Sequence, residues 1–270
     1  MAGTRLTRRD WLARLPMLLA ETAARWSLTL GEPCVQGAAG YAVRATRSDG
    51  TPVVLKLVYP HRESEHEADA LELWDGDGAV RLLARDDERH ALLLERCEPG
   101  TFLSAWEGDR LGVLIGLLPR LWKGADGFRT LAEEAAWWAE YLPRECRDAD
   151  LRDAALHYIG ELAPTQGELV LAHQDLHGEN VLAAAREPWL VIDPKPLAAE
   201  RAFACAPIVR ALELGDGRRG VLYRLDRLSL ELGLDRERVR GWTVAQTVAW
   251  SGCRDYWPDA MESVRWLLAR

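Results

Sequence analysis

Nothing in this chain points to a nucleic-acid partner. Its 270 residues carry 34 Lys and Arg against 42 Asp and Glu, a formal net charge of −8, and no basic stripe interrupts that balance. No apolar run approaches the roughly 18 residues needed to span a bilayer. Internal repeats and low-complexity tracts are missing. The five cysteines, Cys34, Cys97, Cys146, Cys205 and Cys253, are odd in number, scattered and without a Cys-x-x-Cys pair. That pattern argues against a zinc site or disulfide framework and for reduced thiols serving as small apolar residues. Thr7-Arg8-Arg9-Asp10-Trp11-Leu12 has the outline of a twin-arginine export signal, but Arg14, Glu21 and Arg25 break the apolar stretch that would follow. At helical spacing, Trp11, Leu12, Leu15, Leu18 and Leu19 form one face of an amphipathic helix. The expectation is a soluble, cytoplasmic protein with neither a nucleic-acid nor a membrane partner.

What is present is enough apolar material for a real core: 48% of the chain is hydrophobic. Ser27–Glu32, Tyr41–Arg47 and Val53–Val58 are short apolar or alternating runs separated by glycine turns, and read as antiparallel strands. A helix is expected over His61–Trp74, then two more strands over Ala79–Arg85 and His90–Glu95. Cys97-Glu98-Pro99-Gly100 reads as a linker. Beyond it, helical spacing dominates: Leu111–Trp122, Leu131–Tyr141, Ala149–Ala163, Ala198–Leu214, Arg218–Leu232, Asp235–Ser251 and Asp259–Leu268. Two short apolar runs, Leu169–Leu171 and Trp189–Ile192, flank a polar, histidine-rich loop. The organisation is a small antiparallel β lobe with one helix, residues 1–97 with the N-terminal helix, and a larger α-helical lobe, residues 98–270.

The polar loop carries the strongest chemical signal. His173-x-Asp175-x-x-x-x-Asn180 lies between the apolar runs, and Asp193 follows thirteen positions after Asn180 at the end of Leu190-Val191-Ile192. Phosphoryl transfer from a nucleotide needs a divalent cation to neutralise phosphate charge and a carboxylate to orient and accept the attacking hydroxyl's proton. Magnesium is a hard ion that takes oxygen ligands, and an Asn amide and an Asp carboxylate supply them. In this reading Asp175 is the base or orienting group, Asn180 and Asp193 hold Mg2+, and His173 braces the loop. A second signal is Lys56 inside the apolar strand Val53–Val58. A buried lysine needs a charged partner, and it would hold the α- and β-phosphates of ATP, or of GTP. Glu67 is the chosen partner, with Glu63 as the alternative four residues away on the same helix face. Gly37 and Gly40 belong to a small-residue turn placed where backbone N–H groups would cover phosphates. Glu95 and Cys97 would offer a backbone C=O and N–H to the adenine.

Together, His173–Asn180, Asp193-Pro194-Lys195 and Lys56 resemble the aminoglycoside phosphotransferase superfamily. Finer stretches, among them Ala91-Leu92-Leu93-Leu94-Glu95-Arg96 and Val191-Ile192-Asp193-Pro194-Lys195, resemble its streptomycin 6-kinase and hydroxyurea kinase branch. The resemblance implies an α+β, protein-kinase-like two-lobe fold, ATP with magnesium, and transfer of the γ-phosphate to a hydroxyl of a small polar, cationic substrate, by a monomer. Streptomycin or a related aminocyclitol is the first acceptor. Hydroxyurea or another small metabolite is the alternative, and a catalytically weak, kinase-like binding protein is the third reading. The chain departs from the branch at Gln174, Ala199, Ala204 and Ala211. Ala204 stands where relatives have a carboxylate that supports the loop or the substrate wall. The acceptor is expected between the His173–Asn180 loop and the C-terminal helices, where the faces of Trp242, Trp250 and Trp257 could attract cationic groups and Asp255 and Asp259 could add charge. Core packing is the preferred reading of those tryptophans.

Overall fold

The Thr7 hydroxyl accepts the Asp10 amide N–H at 3.2 Å and so starts the first helix, α1 (Arg8–Arg25). The computed structural model describes residues 7–34, 40–251 and 258–269. α1 buries Trp11, Leu15, Leu18 and Thr22 but leaves Leu12 exposed, so its apolar face is narrower than the sequence pattern implied. Strands β1 (Leu28–Pro33), β2 (Gly40–Arg47) and β3 (Pro52–Val58) follow, then α2 (Glu67–Trp74), β4 (Leu82–Asp86) and β5 (Ala91–Glu95). The five strands form one antiparallel sheet in the order β1-β2-β3-β5-β4, as the alternating runs predicted. Leu55 and Leu57 pack under Trp11, Leu15 and Leu18 of α1. Successive strand side chains point to opposite faces, so Lys56 is turned away from α1. Val58, which shares its face, joins the core with Ala68, Leu71 and Trp74 of α2.

The helix expected from His61 begins late. Residues Arg62–Ser64 make one 3-10 turn, and α2 starts only at Glu67. The Ser64 hydroxyl donates to the Tyr59 and His61 carbonyls, and the His61 amide donates back to that hydroxyl. Those side-chain bonds compete with helix propagation.

Past Glu95 the chain passes a cis Glu98–Pro99 bond into β6 (Pro99–Phe102), which pairs with one strand of the second lobe. Helices α3 (Arg110–Leu121), α4 (Leu131–Glu145) and α5 (Ala149–Leu162) lead to β7 (Leu169–His173), β8 (Val181–Ala184), β9 (Trp189–Val191) and β10 (Pro196–Glu200). The chain closes with α6 (Arg201–Ala204), α7 (Ala206–Arg210), α8 (Gly217–Glu231), α9 (Arg236–Ser251) and α10 (Pro258–Leu268). Two small sheets, β6-β8-β9 and β10-β7, sit among these helices. The helix expected over Ala198–Leu214 is corrected: its first residues are strand β10, because Leu197, Ala198 and Ala199 are buried against β7. Tertiary pairing overrides the helix preference of alanine there. The centre of this lobe is aromatic, with Phe203 lying 6.2 Å from Trp138 and edge-on at 5.7 Å to Trp242, all three fully buried. Among the described residues no helix is long and apolar enough to cross a membrane.

The thiol expectation holds at Cys34, Cys97 and Cys205, which are free. It fails at Cys146, which is disulfide-bonded. Disulfide pairing follows proximity in the fold, which scattered spacing does not reveal.

One buried carboxylate ties the lobes behind α2. Glu134 of α4 is fully buried, with Arg62 Nε at 2.8 Å and Arg129 Nε at 2.9 Å. Arg129 also donates to the Arg62 carbonyl at 2.6 Å, and the Arg62 guanidinium lies over the Trp137 ring. Removing the carboxylate leaves two guanidinium groups facing each other with only the exposed Glu65, 3.9 Å from Arg129 Nη1, to offset them. Glu134→Ala is therefore expected to lower the unfolding free energy by about 3 kcal/mol, measured by urea denaturation against the wild type.

Candidate active site

Two strand registers assemble the site. β8 pairs with β9 so that Val181 lies opposite Val191, and the Ile192 amide donates to the Asn180 carbonyl at 2.9 Å. Asn180 stands just before the hairpin and Asp193 just after it, so thirteen residues of separation become neighbours. β10 pairs with β7 so that Pro196 lies opposite His173, and the Gln174 amide donates to the Lys195 carbonyl at 3.0 Å. That register sets Lys195 beside Asp175. Asp193 itself has φ of 52°, a left-handed conformation uncommon outside glycine.

The backbone of the loop between β7 and β8 is held from three sides. The His173 ring is buried behind it, and its Nδ1 accepts the Asp175 amide N–H at 3.1 Å. The proton therefore sits on Nε2, which faces the Ile192 carbonyl at 3.4 Å. Burial pushes the His173 ring down to about 4, so it is neutral at neutral pH and orients the loop. Asn180 Nδ2 donates to the Asp175 carbonyl at 2.8 Å. Glu213 accepts the Gly178 amide N–H at 3.1 Å, so a carboxylate supports the loop although Ala204 carries none. Ala204 is fully buried in the core.

Lys56 is buried and bonds to both Glu67 of α2 and Asp193, the latter at 2.5 Å. Burial disfavours its charge, but Asp193 and Glu67 outweigh that, and its pKa is raised. Burial likewise works against the charge on Asp193, yet Lys56 draws that carboxyl down to about 2. Glu67 goes the other way, with burial pushing it up to about 7 against the pull of Lys56. Glu63, the alternative partner, lies in the 3-10 turn ahead of α2, 3.8 Å from the His61 ring.

Gly40, Lys56, Asp175, Asn180 and Asp193 line one cleft of about 440 Å3, together with Glu95 and Cys97. Glu67 and His173 stand behind this lining. A Cβ at Gly40 would come within 2.9 Å of the Leu57 carbonyl oxygen and 3.3 Å of Lys56 Cε, so only glycine lets β2 pass there. Gly37 lies outside the described residues. The Glu95 carboxylate is bound by Arg186 at 2.9 Å and accepts the Arg81 amide N–H, so that side chain is already engaged within the protein. Burial pushes the Cys97 thiol up to about 12, an unreactive wall. Among the described residues no group of three or more His, Cys, Asp or Glu side chains forms a metal cluster.

Asp175 is also gripped by two cations, Lys195 of the Asp193-Pro194-Lys195 motif and Arg210, to which the sequence pattern assigned no role. Lys195 Nζ lies 2.5 Å from Oδ2, and Arg210 Nη2 lies 3.6 Å from Oδ1. Burial alone would raise the Asp175 carboxyl, but Lys195, His177 and Arg210 hold it below the usual carboxylate range. The readable signal for Arg210 was a lone arginine ending the apolar run Ala206–Val209. Trp242 is a core residue whose indole N–H donates to Glu200 at 2.5 Å. The Trp250 ring instead faces inward, 5.3 Å from Lys195 Nζ and 5.1 Å from the Arg210 guanidinium. Trp257 and Asp255 lie outside the described residues, and Asp259 is exposed in the first turn of α10.

The family described as aminoglycoside/hydroxyurea antibiotic resistance kinase matches residues 25–255. The chain belongs to that family. It is 41% identical over 253 residues to a streptomycin 6-kinase of Streptomyces griseus, covering 88% of this chain and 82% of the relative. It is also 41% identical over 254 residues to a hydroxyurea phosphotransferase of Kitasatospora aureofaciens, covering 89% and 73%. The fold matches a crystal structure of the choline kinase LicA from Streptococcus pneumoniae with a TM-score of 0.68 at 16% identity, over 94% of this chain and 98% of that one. As a member of the resistance-kinase family, the chain is a phosphotransferase with the two-lobe, protein-kinase-like fold that its motifs implied.

The depressed basicity of His173 carries a sign that can be measured. An unfolded histidine takes up its proton near pH 6.5, whereas the buried ring waits until about 4. Between those values the unfolded state holds more protons, so stability falls as pH falls. His173→Gln, which keeps an acceptor and a donor, is expected to remove on the order of 2–3 kcal/mol of that acid-induced loss, read from denaturant unfolding at pH 7 and pH 4.5.

Proposed function

We propose that this kinase transfers the γ-phosphate of ATP to a hydroxyl of streptomycin or a related aminocyclitol, acting as a cytoplasmic monomer. GTP is the alternative donor. The observation that carries the reading is the shared cleft of Lys56, Asp175, Asn180 and Asp193, in a chain 41% identical to a streptomycin 6-kinase over most of its length. Residues 1–97 would bind the nucleotide and residues 98–270 would supply the catalytic loop and the acceptor wall. Hydroxyurea is the second acceptor, favoured by the equal identity to a hydroxyurea phosphotransferase.

The donor oxygens fit magnesium. Asn180 uses its Nδ2 within the loop, which reserves Oδ1 for a cation, and Asp193 adds a carboxylate. Two protein oxygens suffice because magnesium keeps waters and phosphate oxygens in its octahedral shell. The ion would neutralise charge on the β- and γ-phosphates. Lys56 would hold the α- and β-phosphates, with Glu67 fixing its direction. Gly37 and Gly40 would let backbone approach the phosphates. The Glu95 carbonyl and Cys97 amide would face the adenine, with Val80, Leu94 and Leu182 as apolar walls of the cleft. Asp175 would orient the acceptor hydroxyl and take its proton.

Two substitutions separate these roles. Asp175→Asn is expected to cut labelled-phosphate transfer from ATP to streptomycin by about 10²–10⁴-fold while leaving nucleotide affinity near wild type. Near-full turnover in that variant would remove the assignment. Asp193→Ala is expected to weaken Mg-ATP binding itself in a calorimetric titration, and unchanged affinity there would count against its metal role. Running the same transfer assay with hydroxyurea decides between the two acceptors.

A further inference from the structure

Asp175 is held by more positive charge than the orientation of a hydroxyl requires. Lys195 and Arg210 approach its two oxygens from different elements, and they differ in what else restrains them. Arg210 is buried in α7, its Nη1 donates to Gln246 Oε1 at 2.5 Å, and the Gln246 amide donates to the Gln174 carbonyl at 2.8 Å. This guanidinium is locked to the loop backbone. The Lys195 ammonium contacts Asp175 and the face of Trp250, a cation–aromatic contact of shallow directionality. Its backbone is pinned, since its carbonyl accepts the Gln174 amide N–H at 3.0 Å. Its side chain lines the same cleft as Lys56, Asn180 and Asp193.

We propose that Lys195 is a catalytic residue: its ammonium leaves Asp175 and stabilises the phosphoryl group in flight, while Arg210 keeps the carboxylate in place. The inference rests on the phosphotransfer reading above. In the step, a bond forms between the acceptor oxygen and the γ-phosphorus, and the bond from the γ-phosphorus to the β–γ bridging oxygen breaks. ADP departs with that electron pair, and the hydroxyl proton passes to Asp175. The transition state is loosely bonded, with negative charge spread over three equatorial oxygens. A compact charge on a flexible four-carbon stem can follow that charge, whereas a planar guanidinium fixed to Gln246 cannot. Lys56 is not placed to do so, because Glu67 and Asp193 both hold its ammonium.

The test compares Lys195→Met, Lys195→Gln and Lys195→Arg. Magnesium–ADP binding is measured in the presence of streptomycin, with and without aluminium fluoride, which mimics the planar phosphoryl group. Both uncharged variants are expected to fold, to bind ADP as the wild type does, and to lose the extra affinity conferred by aluminium fluoride. Their kcat is expected to fall about 100-fold or more with KM for ATP little changed, and Lys195→Arg is expected to recover part of both losses. Equal weakening of ADP binding with and without the fluoride overturns the proposal, as does turnover close to wild type. Failure of both uncharged variants to fold overturns it too, because the lysine is then structural. A wild-type enzyme that gains no affinity from aluminium fluoride with either streptomycin or hydroxyurea present sinks the phosphotransfer reading itself.

Discussion

The Lys56 ammonium is the point at which three separate segments meet. It rides on β3, bonds to Glu67 at the start of α2, and reaches Asp193 beyond the β8–β9 hairpin of the other lobe. The two carboxylates would repel each other without it. Their difference in burial is why Glu67 and Asp193 diverge. The fully enclosed Glu67 is pushed toward neutrality, while the more open Asp193 keeps its charge. The entry to α2 is held independently, because Arg62 in the 3-10 turn ahead of it is bound to Glu134 of α4. Lobe orientation and ion-pair geometry are thus fixed by two clasps close together at the start of one short helix.

The second constraint is strand register. Small sheets carry little of the fold's apolar burial, yet they determine every distance in the site. A slip of one residue in β8–β9 would send Asp193 to the opposite face, and a slip in β7–β10 would do the same to Lys195. Such slips are opposed because both faces of these strands are core and would have to repack: Val181, Leu190 and Val191 in one pair, Leu171, Ala172 and Leu197 in the other. The irregular loop between β7 and β8 is then tied down by His173, Asn180 and Glu213.

This division explains what could be read from the sequence. The five-stranded sheet was legible because Val53–Val58 and Ala91–Glu95 are short apolar runs bounded by turn residues. Lys56 stood out as a charge inside such a run, and the spacing of Asp175, Asn180 and Asp193 carried its own chemistry. Strand β10 was not legible, since Leu197-Ala198-Ala199 has no alternation and alanine favours helix until β7 covers it. The late start of α2 was hidden in side-chain hydrogen bonds of Ser64 and His61. Arg210 escaped notice because its role depends on Gln246, which is thirty-six residues away and adjacent only through the packing of α7 on α9.

Acceptor choice obeys a different logic from nucleotide chemistry. A streptomycin 6-kinase and a hydroxyurea phosphotransferase resemble this chain to the same degree, although their named substrates differ greatly in size and charge. Phosphoryl transfer needs oxygens and cations at fixed separations, and backbone register supplies those separations regardless of what carries the hydroxyl. An acceptor needs only a matching wall, and a wall can be changed one side chain at a time on helix ends such as that of α9. Trp250 sits at that junction, its ring facing the cations on Asp175, so the surface that would select an acceptor is packed directly against the machinery that would act on it.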